Sequence, residues 1–158
     1  MQKIQPFLWF NNNAEEAVSF YLSVFKNGKA GRILRWGEGG PMPAGSVLTV
    51  AFELEGMEFI ALNGGPHHSF TDAISFVVNC ANQAEIDELW TRLTVDGGQE
   101  IACGWLRDKF GVSWQIVPAN MAQLLAGKDA EGGRRAMAAM MRMKKLDIET
   151  LKQAGSLA

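Results

Sequence analysis

Cysteine and surplus positive charge are both scarce in this sequence. Its 158 residues include two cysteines, Cys80 and Cys103, which cannot build a disulfide framework, and a chain of this size needs none. Fifteen basic side chains stand against seventeen acidic ones, which gives a formal net charge of −2. No basic excess is therefore present to neutralise phosphates, and we expect no general binding to nucleic acids.

Long apolar runs are also absent. No stretch approaches the roughly 18 consecutive apolar residues that span a bilayer, and the first ten residues lack the cationic start and apolar run of a signal peptide. We therefore expect a soluble, cytoplasmic protein without membrane partners. Hydrophobic residues make up 47% of the chain and charged residues 20%, a globular balance that fits one domain or two small repeated modules.

The first 63 residues have the pattern of a strand, a helix and three further strands. Apolar residues three and four positions apart, from Ala14 to Phe25, predict an amphipathic helix, and Asn12 with Glu15 resembles its capping box. The dipeptide Glu55-Gly56 separates two strand-like runs and predicts a tight hairpin. The predicted strands are residues 4–10, 31–36, 46–54 and 57–63.

The same order of elements repeats in the second half of the chain. Asn82 and Glu85 resemble a second capping box, and they precede a second amphipathic helix. The apolar stripe of this helix consists of Ile86, Leu89, Trp90 and Leu93. The predicted strands are residues 73–79, 99–103, 105–108 and 112–118. An internal repeat of this kind predicts two half-domains that bury each other's apolar faces.

The last forty residues differ in character and predict helices. A short helix is expected over residues 120–125, a second is capped by Asp129, and a third begins at Asp147. We therefore divide the chain into a domain of paired modules at 1–118 (1–66 and 67–118) and a C-terminal helical arm at 119–158. The arm is expected to lie over the core or over a partner subunit.

With this repeat, the sequence resembles the PhnB-like group of the vicinal-oxygen-chelate (glyoxalase and bleomycin-resistance) superfamily, a group often labelled 3-demethylubiquinone-9 3-methyltransferase. The match covers nearly the whole chain, and its most specific pieces are LNGGP and CGWLRDKFGVSWQIVP. The other matching segments are IQPFLWFNNNAEEAVSFYLSVF, ISFVVNCANQAEIDELWTRL and AMAAMMRMKKLDIETL. The resemblance implies an α+β fold of two βαβββ modules, whose curved mixed sheets form a cup around a small-molecule ligand. It also implies a homodimer.

The resemblance implies four metal-ligand positions in the cup, and this sequence departs from the pattern. The first-strand and last-strand positions hold Gln5 and Gln115, whereas the other two fall at Ile60 and at Ala73, or Ser75 in another register. Divalent zinc, nickel, iron and manganese are held by imidazole, carboxylate or thiolate ligands. We therefore expect that the metal site has been lost and that no cofactor is bound.

The methyltransferase label is not supported by the residues. Adenosylmethionine-dependent enzymes of the common class use a parallel α/β sheet with a glycine-rich turn after the first strand. No strand-turn-helix unit of that kind occurs here, because the double glycines fall in loops or between helices. We therefore rank methyltransferase activity below the other functions.

Seven residues are candidates to contact a ligand. Period-two alternation places Gln5 with Trp9 on one face of the first strand and puts Gln115 on one face of the last. If those faces line the cup, amides and an indole meet in one space, as in many small-molecule sites. Alternatively, the two glutamines bond each other and close the cavity. The full set is Gln5, Trp9, Trp36, Asn63, Cys103, Trp105 and Gln115.

His67 is the candidate catalytic residue. It lies in the loop between the modules, where Asp72 could pair with it for general-base chemistry, although an exposed loop histidine is the more common case. Cys103, beside Gly104 and Trp105, could face the cup. Free cysteines are usually buried small hydrophobes, so a nucleophilic role is the less favoured interpretation.

Three functions are consistent with these residues. The first is a protein that binds a small organic molecule without a metal, and the second is a lyase, isomerase or dioxygenase with a recruited metal. The recruited ligands would be His67, Glu58, Gln5 and Gln115. The third is a protein-interaction module that acts through the methionine-rich arm. The methionines concerned are Met137, Met140, Met141 and Met143.

Overall fold

A computed structural model describes all 158 residues, Met1–Ala158. The residues form two compact units, Met1–Phe70 and Thr71–Ala158. Each unit contains one four-stranded mixed sheet and one helix between its first and second strands. The helical arm belongs to the second unit. The α+β class and the repeated βαβββ order are as the sequence predicts.

The first unit contains β1 (Phe7–Phe10), α1 (Ala14–Val24), β2 (Gly28–Arg35), β3 (Val47–Leu54) and β4 (Met57–Asn63). Its sheet has the order β1-β4-β3-β2, in which β1 is parallel to β4 and the other pairs are antiparallel. The hairpin between β3 and β4 turns at Glu55 and Gly56, whose φ angles are 48° and 85°. Two successive positive φ angles are typical of a type I′ turn, which matches the twist of the strands.

Helix α1 covers one face of this sheet. Alternation along β1 buries Leu8 and Phe10 on the helix side and leaves Phe7 56% exposed on the other side. From the helix, Tyr21 stacks on Phe52 at a centroid distance of 6.1 Å, and Phe52 stacks on Phe59 at 5.1 Å. The core of the unit is therefore aromatic and lies on the helix side of the sheet.

Two local predictions in this unit are wrong. The first strand begins at Phe7 and not at residue 4, because Pro6 has no N–H to donate to the ladder, so Gln5 lies outside the strand. The capping box at Asn12 does not form, since the N-cap is Asn13 and its side chain makes no cap hydrogen bond. Asn63, at the end of β4, performs this task instead, because its Oδ1 accepts from the N–H of Ala14 at 2.9 Å.

The second unit repeats the topology. It contains β5 (Phe76–Cys80), α2 (Gln83–Leu93), β6 (Gln99–Glu100), β7 (Trp105–Arg107) and β8 (Ser113–Pro118), in the sheet order β5-β8-β7-β6. The predicted cap is present, since Asn82 accepts from the N–H of Glu85 at 2.9 Å. Strand β6 is shorter than predicted, because Cys103 and Gly104 have φ angles of 59° and 85° and turn the chain.

The arm contains α3 (Met121–Ala126), α4 (Ala130–Met141) and α5 (Ile148–Ala154). Asp129 and Asp147 cap α4 and α5 as predicted. The side chain of Gln83, on α2, donates to the carbonyl of Leu146 at 2.9 Å and accepts from the N–H of Ile148 at 2.8 Å. These bonds attach the arm to the helix of its own unit. None of the five helices has the length and apolar character needed to cross a bilayer.

Candidate ligand-binding face of the second sheet

One face of the second sheet is covered by helix α2, and we call the face that α2 leaves uncovered the open face. The covered face buries Trp114 and Leu106, and α2 packs against β5, β7 and β8. On the open face, the strand register places Val77, Gln115 and Trp105 side by side, because Gln115 pairs with Val77 on β5 and with Trp105 on β7. Val77 is 50% exposed, and the other two are partly buried. We call these three residues the central row.

The amide of Gln115 is held in place by Ser75, which lies just before β5. Its Nε2 donates to the Ser75 Oγ at 2.8 Å. Both residues are partly buried, so the bond restricts the rotation of the amide about its side chain. The central row therefore combines an aromatic ring, an apolar side chain and an oriented amide.

Beside the central row lies a network around Asp72, in the turn before β5. Arg107 donates to this carboxylate twice, from Nε at 2.9 Å and from Nη2 at 2.5 Å, and it also donates to Gln99. The hydroxyl of Ser113, which is 1% exposed, donates to the same carboxylate. The hydrogen bond from Arg107 and then that from Ser113 hold the pKa of Asp72 well below its usual range. At neutral pH, Asp72 and Arg107 therefore form an ion pair on the open face, and each charge has a partner.

In the first unit, the structure places Trp9 against the loop that follows β4. The indole Nε1 donates to the carbonyl of Gly65 at 2.9 Å, and the ring meets His68 edge-on at 4.7 Å. A Cβ added to Gly64 would lie 2.3 Å from the Trp9 ring, so only glycine fits at that position. The LNGGP segment therefore folds over Trp9.

Gln5, which lies before β1, contacts Glu58 on β4. The Gln5 Nε2 donates to the Glu58 Oε2 at 2.9 Å, and the backbone N–H of Gln2 donates to the same oxygen at 2.9 Å. The Gln2 bond and then the Gln5 bond lower the pKa of Glu58. Each of the two candidate glutamines thus has a partner within its own unit, Glu58 for Gln5 and Ser75 for Gln115.

The remaining candidates are placed as follows. Asn63 caps α1, and its Nδ2 also donates to the carbonyl of Val47 at 3.0 Å, so its side chain is structural.

Trp36 lies against Gly40 in its own loop. The thiol of Cys103 contacts the arm, with its Sγ 3.8 Å from the Met141 Sδ. His67 is exposed, and the carboxylate of Asp72, its possible partner, accepts from Arg107 and Ser113.

Comparison with known proteins agrees with this architecture. The family model described as 3-demethylubiquinone-9 3-methyltransferase matches residues 2–117. The chain belongs to this family. A PhnB protein from Bacillus cereus is 36% identical, over 73% of this chain and 99% of that one, with a TM-score of 0.61. The PhnB-like resemblance drawn from the sequence is confirmed. No curated protein matches the sequence.

More distant structures share the fold alone. A protein from Pseudomonas aeruginosa is 24% identical, over 75% of this chain and 98% of that one, with a TM-score of 0.60. The fosfomycin resistance protein FosX from Listeria monocytogenes, solved with Mn(II) and sulfate, is 13% identical over 78% of this chain and 95% of that one, with a TM-score of 0.52. The PhnB-like chain thus shares its fold with both of these proteins.

The four positions that correspond to metal ligands in the superfamily do not fit a metal in this PhnB-like chain. Ile60 and Ala73 have no side-chain atom that could bind a metal, and Gln5 is bonded to Glu58. Gln115 is bonded to Ser75, the alternative to Ala73. Neutral amides are poor ligands for zinc, nickel and iron, which take imidazole, thiolate or carboxylate. No group of three or more His, Cys, Asp or Glu side chains in the structure could hold a metal ion.

Sequence reasoning missed the network of Asp72, Arg107 and Ser113. Part of the signal was present, because alternation puts Arg107 two residues from Trp105 and Ser113 two residues from Gln115 on the open face. The contribution of Asp72 had no local signal, since this residue lies 35 positions before Arg107 and in a turn.

Proposed function

We propose that this PhnB-like protein binds a small, uncharged organic molecule on the open face of the second sheet, without a metal. The observation that carries the proposal is the central row of Val77, Gln115 and Trp105. Small-molecule sites are mostly apolar and aromatic surfaces with a few oriented polar groups, and the central row has that make-up.

The network beside the central row supports an uncharged ligand. An arginine that faced a ligand without a partner would attract an anion. Here both Oδ atoms of Asp72 accept from Arg107, so the guanidinium is already neutralised in a two-bond geometry. An anionic ligand would have to displace this carboxylate from Arg107, whereas an uncharged one leaves the ion pair intact.

The proposal is tested with a neutral aromatic dye, N-phenylnaphthylamine, whose fluorescence rises in apolar surroundings. We expect saturable binding to the intact protein and a loss of about tenfold or more in affinity for Trp105→Leu, because the aromatic contact is removed. Phe20→Leu, an equivalent change of a partly buried aromatic residue on α1, is the matched control and should bind as the wild type does. An absence of binding, or equal binding by Trp105→Leu, contradicts the proposal.

A metal-assisted reaction has less support than binding. The residues suggested as recruited ligands are His67, Glu58, Gln5 and Gln115. Glu58 accepts from Gln2 and Gln5, Gln115 donates to Ser75, and His67 is exposed. Interaction through the arm stays a prediction. Its support is the exposure of Met137 and Met141 on α4.

We also propose a homodimer in the cytoplasm. The support for the dimer is the exposure of large apolar side chains, among them Ile4, Phe7 and Ile74. Light scattering on the purified protein should give about twice the chain mass of 17.3 kDa. A mass equal to that of a single chain contradicts the dimer and leaves the ligand proposal untouched.

A further inference from the structure

We infer that the ligand of the open face carries a lactam-type edge, an N–H and a C=O side by side on a planar ring, which pairs with the amide of Gln115. This inference rests on the proposed function and names the chemistry of its ligand. The observation behind it is the orientation of one amide, between an apolar and an aromatic neighbour.

The hydrogen-bonding capacity of Gln115 is used only in part within the protein. A glutamine amide has two N–H donors and one carbonyl oxygen that accepts. One N–H of Gln115 goes to the Ser75 Oγ at 2.8 Å. The second N–H and the Oε1 remain for a ligand. We take the N–H that points away from Oε1 to be the one that donates to Ser75, which leaves the other N–H and the Oε1 on one edge of the planar amide. Because Ser75 fixes the amide, these two atoms are already oriented before a ligand arrives.

A lactam edge satisfies both remaining groups at once. Its N–H donates to the Gln115 Oε1, and its C=O accepts from the second N–H of Gln115. A ligand with only an acceptor would leave the Oε1 unpaired on a partly covered surface, and a desolvated polar group without a partner weakens binding. The central row thus favours a matched donor and acceptor over either one alone.

The neighbours of Gln115 favour a planar ring as the carrier of that edge. Trp105 stands directly beside it on β7 and offers an aromatic surface, and Val77 stands on the other side on β5 with half of its surface exposed. Aromatic rings pack against such side chains in offset or edge-on arrangements. The closed pair of Asp72 and Arg107 next to them requires no charge on the ligand.

The test uses carbostyril, a planar bicyclic lactam, and its N-methyl derivative, which keeps the ring and the C=O but lacks the N–H. Isothermal titration of the full chain should show that carbostyril binds about tenfold more tightly than the N-methyl derivative. Gln115→Met, which keeps a similar volume and removes the amide, should abolish this preference. Gln123→Met, the same change at an exposed position on α3, should preserve it.

The outcomes separate the two proposals. Equal binding of both compounds by the wild type, with both lost in Trp105→Leu, overturns the lactam inference and leaves the proposed function standing. If neither compound binds, or if Trp105→Leu binds both as tightly as the wild type, both proposals fail. If Gln115→Met does not fold, judged by circular dichroism, Ser75→Ala decides instead. It frees the amide to rotate, and an unchanged preference in that variant overturns the inference.

Discussion

The carboxylate of Asp72 lies in the fork of the Arg107 guanidinium, with both oxygens accepting hydrogen bonds at 2.9 and 2.5 Å. The two residues are 35 positions apart and join the turn before β5 to strand β7. The buried hydroxyl of Ser113, on β8, donates to the same carboxylate. One side chain thus connects the entry of the second sheet to two of its strands.

The ion pair between Asp72 and Arg107 makes the free energy of unfolding depend on pH. Because its bonds favour the charged form, the folded-state pKa of Asp72 lies below the ordinary value of 3.8. The contribution of ionised Asp72 to the free energy of unfolding is therefore complete above pH 3.8, and it is lost as the pH falls further towards the folded-state pKa. We expect Asp72→Asn to unfold at lower urea concentration than the wild type at pH 7, and the difference to shrink below pH 3.8.

Asp96→Asn is the matched control for this experiment, since it removes the same charge from an exposed turn residue whose nearest cation is 4.0 Å away. Its difference from the wild type should be small at every pH. If Asp72→Asn behaved like Asp96→Asn, the ion pair with Arg107 would not contribute to folding.

Replacing Asn63 should destabilise the first unit. The Asn63→Ala variant leaves the N–H of Ala14 and the carbonyl of Val47 without this partner, so we expect a loss of about 1–2 kcal/mol in the free energy of unfolding. Urea unfolding followed by circular dichroism measures it. Asn79→Ala, on an exposed position of β5, is the control and should change stability by less than about 0.5 kcal/mol. Equal effects of the two variants would contradict the capping role.

A methyl group at Gly64 should disturb Trp9. In Gly64→Ala, the new Cβ would lie 2.3 Å from the indole, so the ring or the loop must move, at a cost of about 1–3 kcal/mol. Gly37→Ala adds the same methyl where no atom lies within 4 Å, and it should leave stability nearly unchanged. Urea unfolding compares the two variants. A stable Gly64→Ala with unaltered tryptophan fluorescence would show that the loop does not pack on Trp9.

The two cysteines should differ in reactivity. Burial, and then repulsion by Glu85, raise the pKa of Cys80 to about 12, so its thiolate is scarce at neutral pH. Cys103 is partly exposed. We expect iodoacetamide at pH 8 to label Cys103 and spare Cys80 in the folded protein, and to label both in urea, as measured by peptide mass spectrometry. Rapid labelling of Cys80 without urea would contradict its burial.

Removal of metal should not affect binding on the open face. Because Ile60 has no donor and the amides of Gln5 and Gln115 are bonded elsewhere, dialysis against EDTA should leave the affinity for N-phenylnaphthylamine unchanged. Elemental analysis of the untagged protein, before and after exposure to nickel, zinc, manganese and iron, provides the second measurement. A stoichiometric metal whose removal abolishes binding would refute the metal-free proposal.

The sequence by itself determined the elements of this protein, because its signals for them are local. Period-two and helical spacing, the turn at Glu55-Gly56 and the cap at Asn82 involve residues within a few positions of each other, and the structure contains each of them. The matching order of elements in both halves, and the LNGGP and CGWLRDKFGVSWQIVP segments, were enough to identify the family. The face shared by Trp105 and Gln115 also followed from alternation.

Only the tertiary structure decided what the polar side chains do. Asn63 was a candidate ligand contact and proved to cap a helix 49 positions away, and Asp72 was a possible partner of His67 and proved to hold Arg107. The physical reason is the same for both. A hydrogen bond depends on atoms brought within about 3 Å by the packing of whole elements, and no spacing along the chain records that distance. Periodicity predicts which face of a strand or helix a side chain occupies, but the tertiary packing determines which partner the side chain contacts on that face.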